Sequence, residues 1–527
     1  MGFLCLRLKV QFEFGIYLPI LVSKDIWNNQ LFLSGYFGRD VFGTSFGFNW
    51  GNGTISSRWN HVFSEKLFMN ATAFYSNYDY LLDSDIENKR PNDSFKWSSN
   101  IENLSIKPDF TYYVNPTNTV SFGGQILSYE FKPGKAIATS TGEKREFGQA
   151  NKKGTESSAY ISQELKISPV FSVQYGMRYS YYDYKSLNGE YYDRVKVPIS
   201  TENASGYILK INKTDPTTTV ASYGNWEPRL SLNLNVGQNA SLKTSYNRLA
   251  QYVHLMSNTA ASTPLDVWTS STNNIKPQLA DQVAMGFFKN LGPDGNNYET
   301  SVEVYYKAMQ NQIDYADRAN LFLNPYFEKD LLFGDGRAYG IEFFFKKSVG
   351  RFTGWVGYTW AKTERRFPDI NEGNIYPAKY DRRHDLTLVG TYKLNDRWTF
   401  SASFIYATGN TLTLPSSWYV QEQNLLFNYG PRNSTRMAPY HRLDLSATLY
   451  SKAYKTKTDP ATGKEIEVKK RYRSNWSFSI YNVYNRMNPF FLYVDNDGDF
   501  LSGNFKLSVK QVSLFPIIPS ATWNFEF

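Results

Sequence analysis

The chain has 527 residues with 57 Lys and Arg against 48 Asp and Glu, a net charge of +9, and its basic residues are scattered apart from a short run from Lys464 to Arg473. This distribution lacks the basic stripe that a nucleic-acid backbone requires, so no nucleic-acid partner is expected. Aromatic residues make up 17% of the chain while mean hydropathy is −0.48, and no segment approaches the roughly 20 consecutive apolar residues of a helical membrane span.

One cysteine, Cys5, excludes an intrachain disulfide framework, and His61, His254, His384 and His441 are too dispersed for a metal cluster, so no cofactor is expected. A chain rich in rings yet polar on average fits a β-barrel in a membrane. There only alternate residues meet lipid, and aromatic girdles mark both interfaces.

The first segment, 1–29, is atypical. Arg7, Lys9 and Glu13 interrupt its apolar stretch, and no small-residue cleavage site follows, so it reads as a poor export signal. From residue 30 onward two-residue alternation takes over. Phe171, Val173, Tyr175, Met177, Tyr179 and Tyr181 alternate with Ser172, Gln174, Gly176, Arg178 and Ser180. Val302, Val304, Tyr306 and Ala308 alternate with Ser301, Glu303 and Lys307, and the same period returns over 398–406 and 443–449. These are strand patterns.

About 18 such segments of roughly 12 to 18 residues are expected. They are 30–43, 47–63, 66–80, 97–114, 118–132, 155–167, 170–185, 223–236, 240–254, 277–291, 297–314, 336–349, 352–364, 382–394, 397–410, 440–452, 473–487 and 510–527. Globular strands run about 5 to 6 residues and a tilted membrane-spanning strand about 9 to 11, so these cross a bilayer and project beyond it. Short connections such as 63–66, 115–118, 236–239, 348–351 and 394–397 alternate with long ones such as 133–154, 186–222, 255–276, 315–335 and 411–439. That alternation is the topology of outer-membrane barrels, with short periplasmic turns and long extracellular loops. The linker 453–472 is long where a turn is due, and the gap 44–46 is short where a loop is due. The expected fold is therefore all-β: a transmembrane antiparallel β-barrel over 30–527.

Several stretches carry a family resemblance: Leu33 to Gly43 (LSGYFGRDVFG), Phe48 to Phe63 (FNWGNGTISSRWNHVF), Tyr376 to Leu386 (YPAKYDRRHDL), Met437 to Tyr450 (MAPYHRLDLSATLY), Ser479 to Pro489 (SIYNVYNRMNP) and Val512 to Phe527. In these the chain resembles the TonB-dependent receptors of the outer membrane, in the form common in Bacteroidota. The resemblance implies a 22-stranded barrel around a plug domain, and uptake energised through contact with the TonB complex. Counted back from Phe527 as the last strand, 30–43 is the fifth and 10–22 a degraded fourth. About 18–19 strands of the family barrel are thus expected, as a truncated fragment without the plug. Coupling to the TonB complex then requires a plug supplied elsewhere. The implied cargo is a nutrient of siderophore, vitamin or glycan class. A passive porin-like channel is the alternative, and an outer-membrane enzyme finds no support because no histidine sits in a catalytic motif.

Trp523, Phe525 and Phe527 resemble the carboxy-terminal signal read by the barrel-assembly machinery, and equally suit a lipid-facing girdle. Asp495, Asp497 and Asp499 place carboxylates at alternate positions, as a calcium site does, but Phe500 stands where an EF-hand loop needs glycine, so a solvated loop competes. Arg365, Arg366, Arg382 and Arg383 are candidates for gathering an anionic ligand at the outer mouth, for binding lipopolysaccharide phosphates, or for pairing with Asp369, Asp381 and Asp385. Trp268, Trp418 and Tyr419 are candidates for stacking on a ligand or for loop packing. The expected partners are outer-membrane lipid, lipopolysaccharide and the barrel-assembly machinery.

Overall fold

A computed structural model describes residues 4–6, 9–11, 15–17, 20–26, 28–42, 47–85, 94–140, 143–148, 150–198, 206–256, 267–292, 297–316, 319, 324, 326–421, 424–452, 454–458, 465–470, 472–497, 506–513 and 515–526. Nineteen of its strands form one antiparallel meander. They are β1 (Ile20–Ile26), β2 (Asn29–Phe42), β3 (Gly47–Val62), β4 (Leu67–Asp85), β5 (Ser94–Asn115), β6 (Asn118–Ser140), β7 (Lys152–Lys166), β8 (Phe171–Ser186), β9 (Ala221–Asn235) and β10 (Ala240–Gln251). They continue as β11 (Gln278–Leu291), β12 (Tyr298–Tyr315), β13 (Leu331–Lys347), β14 (Phe352–Arg366), β15 (His384–Lys393), β16 (Trp398–Ala407), β17 (Tyr440–Tyr450), β18 (Arg473–Tyr481) and β19 (Ile518–Glu526). Each pairs with the next in sequence, from β1 with β2 to β18 with β19.

The register lines up the apolar positions of neighbouring strands. Phe287 sits opposite Val302, Val302 opposite Phe343, and Phe343 opposite Tyr358, with the last two rings stacked at 6.2 Å. Tyr175, Met177, Tyr179 and Tyr181 are exposed on β8, whereas Ser180, Tyr182 and Tyr184 between and beyond them are buried on the opposite face. Rows of exposed aromatic and aliphatic side chains running from strand to strand are an apolar surface far larger than a protein in water carries. In hydrocarbon those rows are solvated, while neighbouring wall strands pair their backbone donors and acceptors sideways. The structure is thus the wall of a transmembrane antiparallel barrel, all-β as expected.

Each of the 18 sequence segments overlaps one strand from β2 to β19, with differences at the ends. Instead of one strand over 10–22 there are short strands Lys9–Gln11 and Gly15–Tyr17, paired with each other, the second also meeting β2 at Asp40, and then β1 at Ile20–Ile26, paired with β2. The segment 473–487 stops at Tyr481 because Asn482 takes a left-handed conformation (φ 55°) and its amide is tied to the Arg486 carbonyl at 2.9 Å. The segment 510–527 begins instead at Ile518, since Lys506–Ser513 pairs with Pro489–Asp497 as a separate hairpin. The linker 453–472 holds a small hairpin, Tyr454–Thr458 with Glu465–Lys469, and the gap 44–46 lies outside the described residues. Further hairpins, Glu190–Lys196 with Tyr207–Lys213, Val253–Met256 with Val267–Ser270 and Pro415–Gln421 with Asn424–Tyr429, stand in the long connections.

Candidate ligand mouth

The long connections meet inward-facing side chains at one end of the barrel. Trp97 of β5 and Tyr80 of β4 point inward and meet edge to face, with centroids 5.6 Å apart. They share a buried apolar cluster with Ile275, Phe327 and Leu331. Phe327 and Glu328 belong to a short 3-10 turn, Phe327–Asp330, that leads into β13. Burying that apolar cluster draws Glu328 away from water, so its carboxylate needs partners. It has three. Lys152 Nζ at the start of β7 lies 2.6 Å from Oε1, while Thr272 Oγ1 and Asn274 Nδ2 donate to Oε2 at 3.2 and 2.7 Å. Lys152 also donates to Thr269 Oγ1 at 3.3 Å and stands 5.1 Å from the Phe327 ring centre.

The neighbouring hairpin places His254 opposite Thr269 and buries it; Nε2 lies 3.0 Å from Ser271 Oγ. Burial pushes this imidazole down from the usual 6.5 to about 4, so it is neutral at physiological pH. Below the hairpin the Tyr182 and Tyr252 rings stack at 4.9 Å.

A second polar centre closes the next stretch of the mouth. A bulge between Met309 and Gln312, with Asn311 at φ 55°, shifts the register of β12 and leads to buried Asp314. Arg432 Nη1 donates to it at 2.8 Å, the Tyr376 hydroxyl donates at 2.9 Å, and Arg365 Nη1 stands at 3.7 Å. Burial pushes the Tyr376 phenol up, and the Asp314 charge adds to the effect. A third centre is Asp381, which is fully buried. It accepts from the Thr363 backbone N–H at 2.7 Å and pairs with Arg383 at 3.2 Å and with Arg436.

The four candidate arginines therefore divide into two kinds. Arg365 and Arg383 are committed to the buried carboxylates of Asp314 and Asp381. Arg366 donates through Nε to the Gly373 carbonyl at 3.1 Å, and Arg382 through Nε to Asn410 Oδ1 at 3.1 Å, so neither holds a carboxylate in these contacts. Trp418 and Tyr419 are exposed on the 415–429 hairpin, whereas Trp268 is half-buried on the hairpin that carries His254. Lys152, Glu328, Asp314 and Arg432 lay outside every sequence-derived site. Glu328 and Arg432 sit in connections without periodicity, Lys152 and Asp314 at the ends of wall strands, and only the fold brings them together.

At the other end of the chain Trp523 and Phe525 are each 53% exposed, and Trp523 stacks on Trp476 of β18 at 6.2 Å; Phe527 lies outside the described residues. Asp495 and Asp497 end a hairpin strand, opposite Ser508 and Lys506, and Asp499 lies outside the described residues.

Residues 15–485 match the family model described as TonB dependent receptor-like, beta-barrel. No curated protein matches the chain. Among solved structures the chain is similar to the ferric yersiniabactin uptake receptor FyuA from Yersinia pestis, at 10% identity and a TM-score of 0.64, over 97% of this chain and 70% of that one. It is similar to the copper transporter OprC at 11% identity and a TM-score of 0.61, over 97% and 71%. It is also similar to the ferripyoverdine receptor of the outer membrane of Pseudomonas aeruginosa, at 11% identity and a TM-score of 0.53, over 97% and 70%. At these identities the likeness is one of fold, and it coincides with the sequence match in assigning the meander to one architecture. The chain belongs to the TonB dependent receptor-like β-barrel family.

Proposed function

We propose that the chain is the outer-membrane barrel of a receptor for TonB-dependent uptake of a scarce nutrient of siderophore, vitamin or glycan class, in the form common in Bacteroidota. The carrying observation is that long connections are tied down at the mouth. Long connections bind inward-facing wall residues through the buried Glu328, Asp314 and Asp381 centres instead of standing clear of the lumen. A ligand captured on such a mouth has loops to rearrange, whereas a passive porin-like channel profits from an open one. Arg366 and Arg382, with exposed Trp418 and Tyr419, are the residues proposed to meet an anionic or ring-bearing ligand.

Energised uptake acts through a plug in the lumen, so contact with the TonB complex depends on one being present there. Outer-membrane lipid and lipopolysaccharide surround the wall, and the Trp523, Phe525 and Phe527 end is proposed to engage the barrel-assembly machinery. The test is growth of a deletion strain on limiting iron, cobalamin or a glycan, with and without a protonophore. Loss of uptake on adding the protonophore supports the receptor. Uptake that persists identifies the passive channel.

A further inference from the structure

Arg58 of β3 alternates with Ile55 and Trp59, which are exposed on the lipid-facing side, so its guanidinium faces the lumen. It lies four residues before Val62 at the end of the strand, roughly 13 Å from the short turn at about 3.3 Å per residue. That depth sets it well away from the loop-covered mouth. Its guanidinium carbon lies 4.5 Å from the centre of the Phe32 ring, and among the described residues no carboxylate pairs with it.

Arg58 lines a wall cavity of about 420 Å³ shared with Lys107 and Asp109 of β5. Asp109 is already satisfied there, by Lys107 at 3.2 Å and by the Tyr160 hydroxyl donating at 2.6 Å. Two cations and one neutralised carboxylate leave the cavity net positive. Its remaining polar groups supply donors. Gln125 Nε2 donates to Ser105 Oγ at 3.1 Å, which leaves the Ser105 hydroxyl proton free. Ser34 and Ser56 hydroxyls lie 2.6 Å apart, so one proton between them is left over, and Asn70 and Thr72 line the same cavity. A guanidinium fork with hydroxyl and amide donors around it matches a planar anion.

We propose that this cavity is a carboxylate-binding site in the lumen wall. The carboxylate comes either from a small anion moving through the barrel or from a side chain of a polypeptide segment held inside it. The site depends on the barrel wall alone, so it stands whether uptake is energised or passive.

Para-fluorobenzoate is the probe, read by fluorine NMR on the full chain folded in detergent, with neutral para-fluorobenzamide as its control. Heat-modifiable gel mobility establishes folding of each variant. Binding of the benzoate and not the benzamide is expected, weakened about tenfold or more by Arg58→Gln, the loss expected for one charge-assisted hydrogen bond. Lys107→Gln is expected to weaken it too. Lys346→Gln, which removes a cation already paired with Glu299 at 2.8 Å, is expected to leave it unchanged. Equal binding by wild type and Arg58→Gln, equal binding of the two probes, or no binding of either overturns the proposal. Reversal potentials in planar bilayers under a salt gradient then separate the sources. Anion preference lost in Arg58→Gln assigns the site to free anions, and an unmoved potential alongside benzoate binding assigns it to a carboxylate held by polypeptide.

Discussion

Lys152, at the first position of a wall strand, and Glu328, in a 3-10 turn 176 residues later, meet at 2.6 Å with both side chains only 7% exposed. The pair joins the wall to the connection before β13, and Thr269, Thr272 and Asn274 bring in the connection before β11. Taking one partner away leaves the other charge buried, which costs about 3–5 kcal/mol. That cost falls on loop closure, since the wall strands are held by their own ladders. Lys152→Met is therefore expected to raise proteolytic cleavage within 267–277 and 326–331 by about a hundredfold or more, the factor that some 3 kcal/mol represents. The double change Lys152→Met with Glu328→Gln removes both charges and is expected to recover most of the protection. Unchanged cleavage in the single variant rules the latch out.

His254 gives the same mouth a pH dependence. It sits on a hairpin beyond the end of β10, outside the membrane-spanning strands, and burial pushes it from 6.5 down to about 4. A folded value below the unfolded one means the open hairpin binds the proton first. Closure is thus fully favoured above about pH 6.5, weakens as pH falls, and levels off once pH passes below about 4. Amide exchange in Val253–Met256 and Val267–Ser270 is expected to accelerate between pH 6.5 and 4 in the native chain. His254→Gln is expected to flatten that profile, and a native profile that is already flat contradicts the assignment.

The division among the arginines separates structural from ligand-facing roles. Arg365→Ala removes one of the cations beside buried Asp314 and is expected to loosen the 367–383 connection, seen as faster proteolysis there. Arg382→Ala breaks only an exposed bond to Asn410, so loop protection is expected to stay native while binding of an anionic ligand at the mouth weakens. Equal loosening by both variants removes the distinction.

What the sequence reveals follows from what a membrane demands. Each wall strand has one face in hydrocarbon, so Phe171 to Tyr181 or Val302 to Ala308 must alternate, and the period can be read without any partner strand. Asn482 hid the end of β18 because a left-handed asparagine leaves no mark in hydrophobic periodicity. The sequence segment 510–527 takes in the end of the Lys506–Ser513 hairpin strand for the opposite reason: a loop hairpin alternates as well as a wall strand does. The mouth was the least legible part. Arg365 and Arg383 stood out as a basic group, but Asp314, Glu328 and Arg432 are dispersed singly and acquire their roles only when long connections fold back on the wall.

Facing direction in the last strand can be tested directly. Ala521 sits opposite Phe478 in the lipid-facing row, near the middle of the nine-residue β19, whereas Ser520, opposite Ser479, belongs to the lumen row. An arginine at mid-bilayer on the lipid face costs about 2–4 kcal/mol, and the same side chain in the lumen finds water. Ala521→Arg is therefore expected to lower unfolding stability in lipid vesicles by that amount and to reduce the assembled fraction, while Ser520→Arg is expected to stay within about 1 kcal/mol of the native chain. The neighbouring positions differ by one residue, so propensity and chain position are matched and only the side of the sheet changes. If Ser520→Arg proves the more damaging of the two, the rows are inverted and the outward assignment of Trp523 and Phe525 fails with them.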